Sequence, residues 1–459
     1  MKIAITISRG GIARNILQNE FFELLKKEAE EIFLITTAHA DDERFRQEFG
    51  AENVTFLPFI EDYSDKISGF LQKFNQLLVF NRNTKRLFLY DYVGETGNIG
   101  IKYIKYILSG IIFFPLSKIS FIKKISWWVD NKFAQKNLVD RYRKMLEVNK
   151  PHMVFVTSLA DENESALLKA AGTLGIPTVG MPKSWDNPSK RLFQTKADKV
   201  VVWNPFMTKQ MVKLQGYKRK NIVEIGVPQF DHYIDKSKLL SKEEFCSKNS
   251  LDPQKKIIVF GSEGKLIPSD SYVSECLTNI INSDSLIDEC QLFIRPHFGY
   301  KQDEKKFTNL LDKKNVVIDT RNNPSSNFRD KWDYSREQMD HLFNLICHAD
   351  VLVTTCSTLL IDATAVGTPT ILIFFDDKSN APFYKSVRRW YECDYYHEIR
   401  KLKAAREAHS PGGLAQHLNE LLKNPNTLLP EREKMIEEFI YKIDGLAGRR
   451  LFDVIKTSL

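Results

Sequence analysis

Three stretches of this sequence set glycine or small hydroxyl residues between an apolar, strand-like run and a helical pattern. The first, Ser8-Arg9-Gly10-Gly11, opens toward Arg14. Glycine permits a tight turn and close ligand approach, and the N–H groups at a helix N-terminus attract an anion. The full dinucleotide fingerprint G-x-G-x-x-G is missing, so an anion site and a plain βα turn both stay open. The second stretch, Gly261-Ser262-Glu263-Gly264-Lys265, repeats the device, with Lys265 adding charge for a phosphate. Its spacing is not that of a Walker A loop. The third runs from Ala349 to Ala363 and ends at Gly367-Thr368-Pro369. A buried strand stops there and Thr355, Ser357 and Thr358 introduce a helix, where they could cap it and donate to a phosphate. Asp362 falls one to two turns further on, within reach of a ribose hydroxyl. Plain capping with one solvated aspartate is the alternative.

Arg295-Pro296-His297 follows the apolar run Gln291–Ile294 directly. A guanidinium and an imidazole at the C-terminal end of a parallel strand lie where open α/β sheets bind ligands. Arginine offers a fixed fork to phosphate oxygens, and histidine can hydrogen-bond one. A packing histidine is the competing reading. An acceptor hydroxyl usually needs a carboxylate base, for which Asp161 and Asp186 are the candidates. A helix cap and a turn residue explain them equally well. Asp376-Asp377 resembles an acidic metal motif only superficially, and no His/Cys spacing suggests zinc.

The elements that must position these residues alternate between strand and helix. Strands are expected at 2–8, 31–38, 53–60, 153–157, 176–181, 199–203 and 222–227, then again at 256–260, 291–295, 316–319, 351–354 and 370–374. Such alternation predicts βαβ units and parallel sheets. The fold class expected is α/β, with a first domain over 1–235, a second over 250–425 and a C-terminal helical segment over 426–459.

The chain has 459 residues, 66 Lys+Arg against 58 Asp+Glu, 43% hydrophobic and 27% charged, which excludes global disorder. A net charge of +8 favours anionic partners without demanding nucleic acid. The six cysteines lie in the second half without a CxxC pair, so reduced thiols of a cytoplasmic protein are expected. The opening MKIAITIS is too short for a signal peptide, and no run of about 18 uncharged apolar residues predicts a spanning helix. Residues 98–128 hold five lysines (Lys102, Lys105, Lys118, Lys123, Lys124), no acidic residue, and the pair Trp127-Trp128. Pro115 is expected to split this stretch into two amphipathic helices lying on an anionic membrane surface, with lysines toward headgroups and tryptophans at the boundary. Packing into the first domain's core is the other reading.

The series Gly10-Gly11, Ser184-Trp185-Asp186-Asn187, Gly226–Asp231, Arg295-Pro296-His297, Ser357-Thr358 with Asp362, and Asp444-Gly445 with Arg449 resembles the GT-B glycosyltransferases. It is most similar to the bacterial surface-polysaccharide and CDP-glycerol glycerophosphotransferase-like group. The resemblance implies two Rossmann-like domains facing across a cleft, with a terminal helix returning to the first. It implies a nucleotide-activated donor in the second domain, held by Gly261, Ser262, Lys265, Arg295, His297, Thr355, Ser357, Thr358 and Asp362. A glycan or lipid-linked acceptor would sit near Gly10, Gly11, Arg14 and the Asp186 loop. Neither a metal nor a cofactor is expected, and the enzyme would work in the cytoplasm or at the inner membrane face. One retaining subgroup carries two glutamates eight residues apart on the donor helix; here Thr354 and Asp362 stand at those positions, against membership of that subgroup. Sugar transfer is the leading expectation. CDP-polyol phosphate transfer, UDP-sugar 2-epimerisation and a non-catalytic membrane-docked scaffold are the alternatives.

Overall fold

Short runs of Ile, Val, Leu and Phe read as strands covered on both faces, and the chain forms them as such. The computed structural model describes the chain except residues 38–41, 87–98, 265, 266, 268, 298, 301, 322–327, 329, 378–382, 384 and 385, and except the side chains of 85, 86, 99, 101 and 102. Lys265 and the side chain of Lys102 therefore lie outside the described residues. The chain divides into two compact units. The first comprises Met1–Gln229, Phe328 and Leu446–Leu459, and the second takes the remainder.

Seven parallel strands build the first unit: β1 (Lys2–Ile7), β2 (Glu31–Thr36), β3 (Val54–Pro58), β4 (Met153–Val156), β5 (Thr178–Gly180), β6 (Lys199–Val202) and β7 (Ile222–Glu224). Their order is β3-β2-β1-β4-β5-β6-β7. Strand order thus reverses between β1 and β4, where Ile3 pairs Met153 and Ile5 pairs Phe155. Such a switch point opens a crevice at the strands' C-terminal ends.

The second unit repeats the plan with six parallel strands: β8 (Lys256–Gly261), β9 (Cys290–Arg295), β10 (Val316–Ile318), β11 (Val351–Thr354), β12 (Thr370–Ile373) and β13 (Arg406–Ala408). The order β10-β9-β8-β11-β12-β13 puts its switch point between β8 and β11. Alternate residues serve opposite faces. Ile258, Phe260, Leu292, Ile294, Val351 and Val353 join one core, whereas Ile257, Val259, Phe293 and Leu352 join the other. Period-two packing against helices on both sides explains why these strands read as unbroken apolar runs.

The tail differs from the continuous helical segment expected over 426–459. The chain leaves helical geometry at Tyr441 (φ 83°) and Gly445 (φ 72°), and only the helix Ala447–Lys456 belongs to the first unit. Residues 426–445, read from sequence as part of the returning segment, pack with the second unit. The returning helix is pinned by Arg449 to Glu20 at 2.7 Å, Lys456 to Glu28 at 2.7 Å, and Arg450 to the carbonyl of Ile225 at 3.1 Å. Pro115 also behaves differently. It lies inside the helix Ile99–Lys118, and the break comes at Ile119, before the helix Ser120–Phe133. A proline removes one backbone donor and disturbs the preceding turn, so a helix can end one turn beyond it.

Candidate functional site

In the second unit the C-terminal ends of β8, β9 and β11 bring together Gly261, Ser262, His297, Thr355 and Ser357. β8 pairs both neighbours there, Gly261 with Arg295 and Gly261 with Thr354. Gly261 leaves room for Leu359, because a Cβ would stand 2.6 Å from the end of that side chain and force it to shift. Gly264 has φ +67°, and a Cβ would run into the ring of Tyr300. Ser357 accepts the N–H of Leu359 through its hydroxyl at 3.1 Å, capping the helix Leu359–Val366 as expected. Thr358 occupies the cap position itself but makes no side-chain cap bond. Tyr396 donates to the carbonyl of Ser357 at 2.6 Å and so fixes the loop ahead of the helix.

His297 accepts the N–H of Gly299 on Nδ1 at 3.1 Å. A neutral imidazole then carries its proton on Nε2, as a donor. Burial pushes this histidine down to about 4, and the positive charges of Arg295 and Lys306 add to the effect, so it is neutral at physiological pH. Glu263 is pushed up to about 7 by burial, against the pull of its Ser357 hydrogen bond.

Three expected ligands have protein partners within the unit. The guanidinium of Arg295 is buried and donates to Asp319 at 3.2 Å, and His341 meets the same carboxylate oxygen at 2.8 Å. Burial would raise Asp319, but His341 and Arg295 together hold it below the usual carboxylate range. Asp362 is buried and accepts the hydroxyl of Tyr233 at 2.5 Å. The hydroxyl of Ser262 lies 2.7 Å from Asp270 and 2.8 Å from Asp303. Composition and spacing cannot reveal such partners, which are distant in sequence or lie on other elements.

The switch point of the first unit holds a group the sequence did not single out. Glu164 is fully buried beside the strand ends, accepting from Thr6 at 2.7 Å, Ser8 at 2.9 Å and the N–H of Ser158 at 2.8 Å. Burial and the nearby charge of Asp161 push it up to about 7. The spacing Asp161-x-x-Glu164 has the form of a capping box, the one signal that could have flagged it. Asp161 is the cap of the helix Glu162–Thr173, accepting the N–H of Asn163 at 3.0 Å, with Arg9 at 3.8 Å. Gly10 and Gly11 are the first residues of the helix Gly10–Leu17 and do not form a positive-φ turn. Arg14 donates to Gln229 at 2.7 Å. Asp186 is not close-packed like Asp161; it pairs with Lys190 at 2.5 Å and keeps 19% of its side chain exposed.

The basic helix pair has an inner and an outer side, and the sequence assigned two residues to the wrong one. Lys123 is buried, donating to the carbonyl of Leu214 at 2.8 Å, and burial lowers its pKa. Trp127 donates to the carbonyl of Phe193 at 2.8 Å and lies under Lys196. Asp130 and Lys169 complete the attachment with a buried ion pair at 2.6 Å. Lys105, Lys118, Lys124 and Trp128 face outward, among twelve exposed large apolar side chains between Tyr103 and Phe133. Among the described residues no single helix is long and apolar enough to cross a membrane; the two helices pass that test only together, bent by 92°.

Comparison with solved structures establishes the architecture. A putative UDP-N-acetylglucosamine 2-epimerase from Listeria monocytogenes aligns with TM-score 0.56 at 11% identity, covering 99% of this chain and 96% of its own. The UDP-GlcNAc 2-epimerase from Neisseria meningitidis, bound to UDP-GlcNAc, gives 0.55 at 12% identity with both chains covered completely. A glycosyltransferase from Rickettsia africae gives 0.53 at 12% identity, covering 99% and 98%. At such identities the likeness carries the fold, which is GT-B. The search of curated proteins finds no match. Residues 168–457, more than half the chain and nearly all of the second unit's strand-end site, match the family model described as CDP-glycerol:poly(glycerophosphate) glycerophosphotransferase. The chain belongs to that family of transferases.

Proposed function

We propose that this protein transfers a polyol phosphate from a CDP-activated donor to a cell-surface polymer. Membership of the glycerophosphotransferase family carries this reading over sugar transfer, the leading expectation from sequence, and over epimerisation, since the epimerase likeness concerns fold alone. The acceptor hydroxyl adds to the polyol-bearing phosphorus, CMP leaves with the bridging oxygen, and the acceptor proton passes to a carboxylate. The strand-end edge of the second unit takes the donor. Nε2–H of His297 and the helix N-terminus behind Ser357 face the phosphates, where fixed donors stabilise developing charge. Arg295 and Asp362 support this edge through Asp319 and Tyr233. Gly10, Gly11 and Arg14 serve the acceptor side. Asp186 is the better candidate base, its side chain being 19% exposed against 6% for Asp161.

The decisive experiment supplies purified protein with CDP-glycerol, UDP-GlcNAc and a glycerophosphate-polymer acceptor, with and without EDTA. CMP release that depends on acceptor and resists EDTA is expected, and His297→Ala should cut it by about 100-fold. Turnover of UDP-GlcNAc alone would replace this reading with the sugar or epimerase one. Binding of CDP without turnover of any donor would favour the scaffold.

The outer side of the basic helix pair is proposed to lie on anionic lipid, bringing the enzyme to a lipid-linked acceptor. Ile111 and Phe121 are 67% and 66% exposed, and the exposed lysines flank them. The inner attachments of Lys123, Trp127 and Asp130 favour an interfacial position over a span. Flotation with vesicles containing phosphatidylglycerol should be lost in Ile111→Ser/Phe121→Ser and weakened by Lys105, Lys118 and Lys124→Gln. Flotation that survives both changes would refute the contact.

A further inference from the structure

Four side chains from separate parts of the second unit converge beneath the proposed donor edge. Ser262 follows β8, Asp270 opens the helix Asp270–Ile281, and Asp303 and Lys306 lie on the 3₁₀ turn Asp303–Leu310. The Ser262 hydroxyl contacts both carboxylates, while Lys306 reaches Asp270 at 3.2 Å, Asp303 at 3.0 Å and Ser262 at 3.1 Å. Each member also holds main chain of a donor loop. Asp303 accepts the N–H of His297 at 2.8 Å, and Asp270 accepts that of Glu263 at 2.9 Å. Lys306 donates to the carbonyl of Gly264 at 2.9 Å. The Thr355 hydroxyl donates to the other oxygen of Asp270 at 3.4 Å.

We infer that Asp303 and Lys306 are positioning residues for donor binding, because their buried cluster with Ser262 and Asp270 locks the loops at Glu263, His297 and Thr355 into one arrangement. A loop alone would leave the His297 imidazole free to wander by more than a hydrogen bond tolerates, and ligand recognition of this kind depends on supporting contacts that fix the side chains facing the ligand. The charge arrangement suits a support and not a ligand site: the ammonium of Lys306 stands between the two carboxylates, and the only hydroxyl among the four, that of Ser262, is turned toward them. The inference rests on the donor reading of this edge.

The test is a double-mutant cycle on CDP affinity, measured by calorimetry on the full chain, with Asp303→Ala, His297→Ala and both. Asp303→Ala is expected to weaken CDP by about tenfold, the value of a main-chain contact left without its acceptor. In the His297→Ala background it should add less than about twofold, since the two act through one group. Asp303→Asn keeps an acceptor for the His297 N–H and should recover most of the loss; it also replaces Asp303→Ala in the cycle if that variant does not fold. Additive losses, or CDP binding by folded Asp303→Ala equal to wild type, would overturn the positioning role while leaving the donor reading intact. Absence of CDP binding by the wild-type chain would overturn both.

Discussion

At the junction of β1 and β4 a single buried carboxylate is held by hydroxyls and one N–H. At the junction of β8 and β11 two carboxylates surround an ammonium. Glu164 accepts from Thr6, Ser8 and Ser158, and among the described residues no ion pair reaches it. Asp270 and Asp303 share Lys306. The same fold thus closes its two switch points with opposite charge strategies. Desolvation penalises any buried charge, and a cation offsets the penalty only where geometry permits. Burial pushes Asp270 up to about 6, with Lys306 pulling it back, and pushes Glu164 up to about 7, with the charge of Asp161 adding to the effect and only dipoles opposing it. The first unit therefore closes on a carboxylate held by dipoles alone, and the second on two carboxylates that share a cation.

Removing the cation is the most damaging way to break this contrast. Lys306→Met leaves Asp270 and Asp303 buried without a counter-charge, and loss of one partner of a buried pair costs about 3–5 kcal/mol. Urea unfolding followed by hydrogen exchange in each unit should show the loss in the second unit and none in the first. A loss below about 1 kcal/mol would mean that the pairing is unimportant.

Glu164→Gln gives a smaller effect with a distinctive sign. Because the folded pKa of Glu164 lies near 7, above its ordinary value of 4.5, the folded chain binds the extra proton between these limits. The resulting stability is fully present below about pH 4.5 and is lost as pH rises through 7, a change of about 3 kcal/mol. Glutamine keeps the shape and cannot ionise. The variant should lack this part of the pH dependence and exceed wild type by about 3 kcal/mol above pH 8. Parallel pH curves for variant and wild type would show Glu164 to be charged throughout.

Strands were the most legible feature of the chain. Among the described residues, all but one of the thirteen coincide with apolar runs read from sequence, with β8 and β9 each overrunning by one residue; β13 escaped because Arg406-Glu407-Ala408 buries only its alanine. Backbone ends were less legible, as the break at Ile119 and the interrupted tail show. The loops that gather at the second unit's edge were found from glycine and hydroxyl punctuation, which records backbone needs. Partners of individual side chains were not. The pairing of Arg295 with Asp319, 24 residues away, was not foreseen, and Lys123 turned inward to a carbonyl 91 residues away. No local pattern distinguishes a lysine that faces lipid from one that caps a distant carbonyl. Asp270, Asp303 and Lys306 sit among ordinary helix-start and surface-like residues, so only the fold reveals that they meet.

The finest probe of the contrast is Ser8→Ala. Ser8 supplies one contact to Glu164, on the oxygen not used by Thr6 and Ser158. If the carboxylate is charged, its loss removes a charge-assisted donor and costs about 1.5 kcal/mol. If the carboxyl is protonated, the remaining partners can rearrange around its own O–H, and the cost falls to about 0.5 kcal/mol. The penalty should therefore grow between pH 5 and pH 9 in the first unit. The equivalent change at the other junction, Ser262→Ala, should show a smaller rise centred lower, near pH 6 where Asp270 loses its proton, since Lys306 offsets the charge that appears there. A penalty for Ser8→Ala that is constant with pH would place the proton elsewhere and erase the difference between the two junctions.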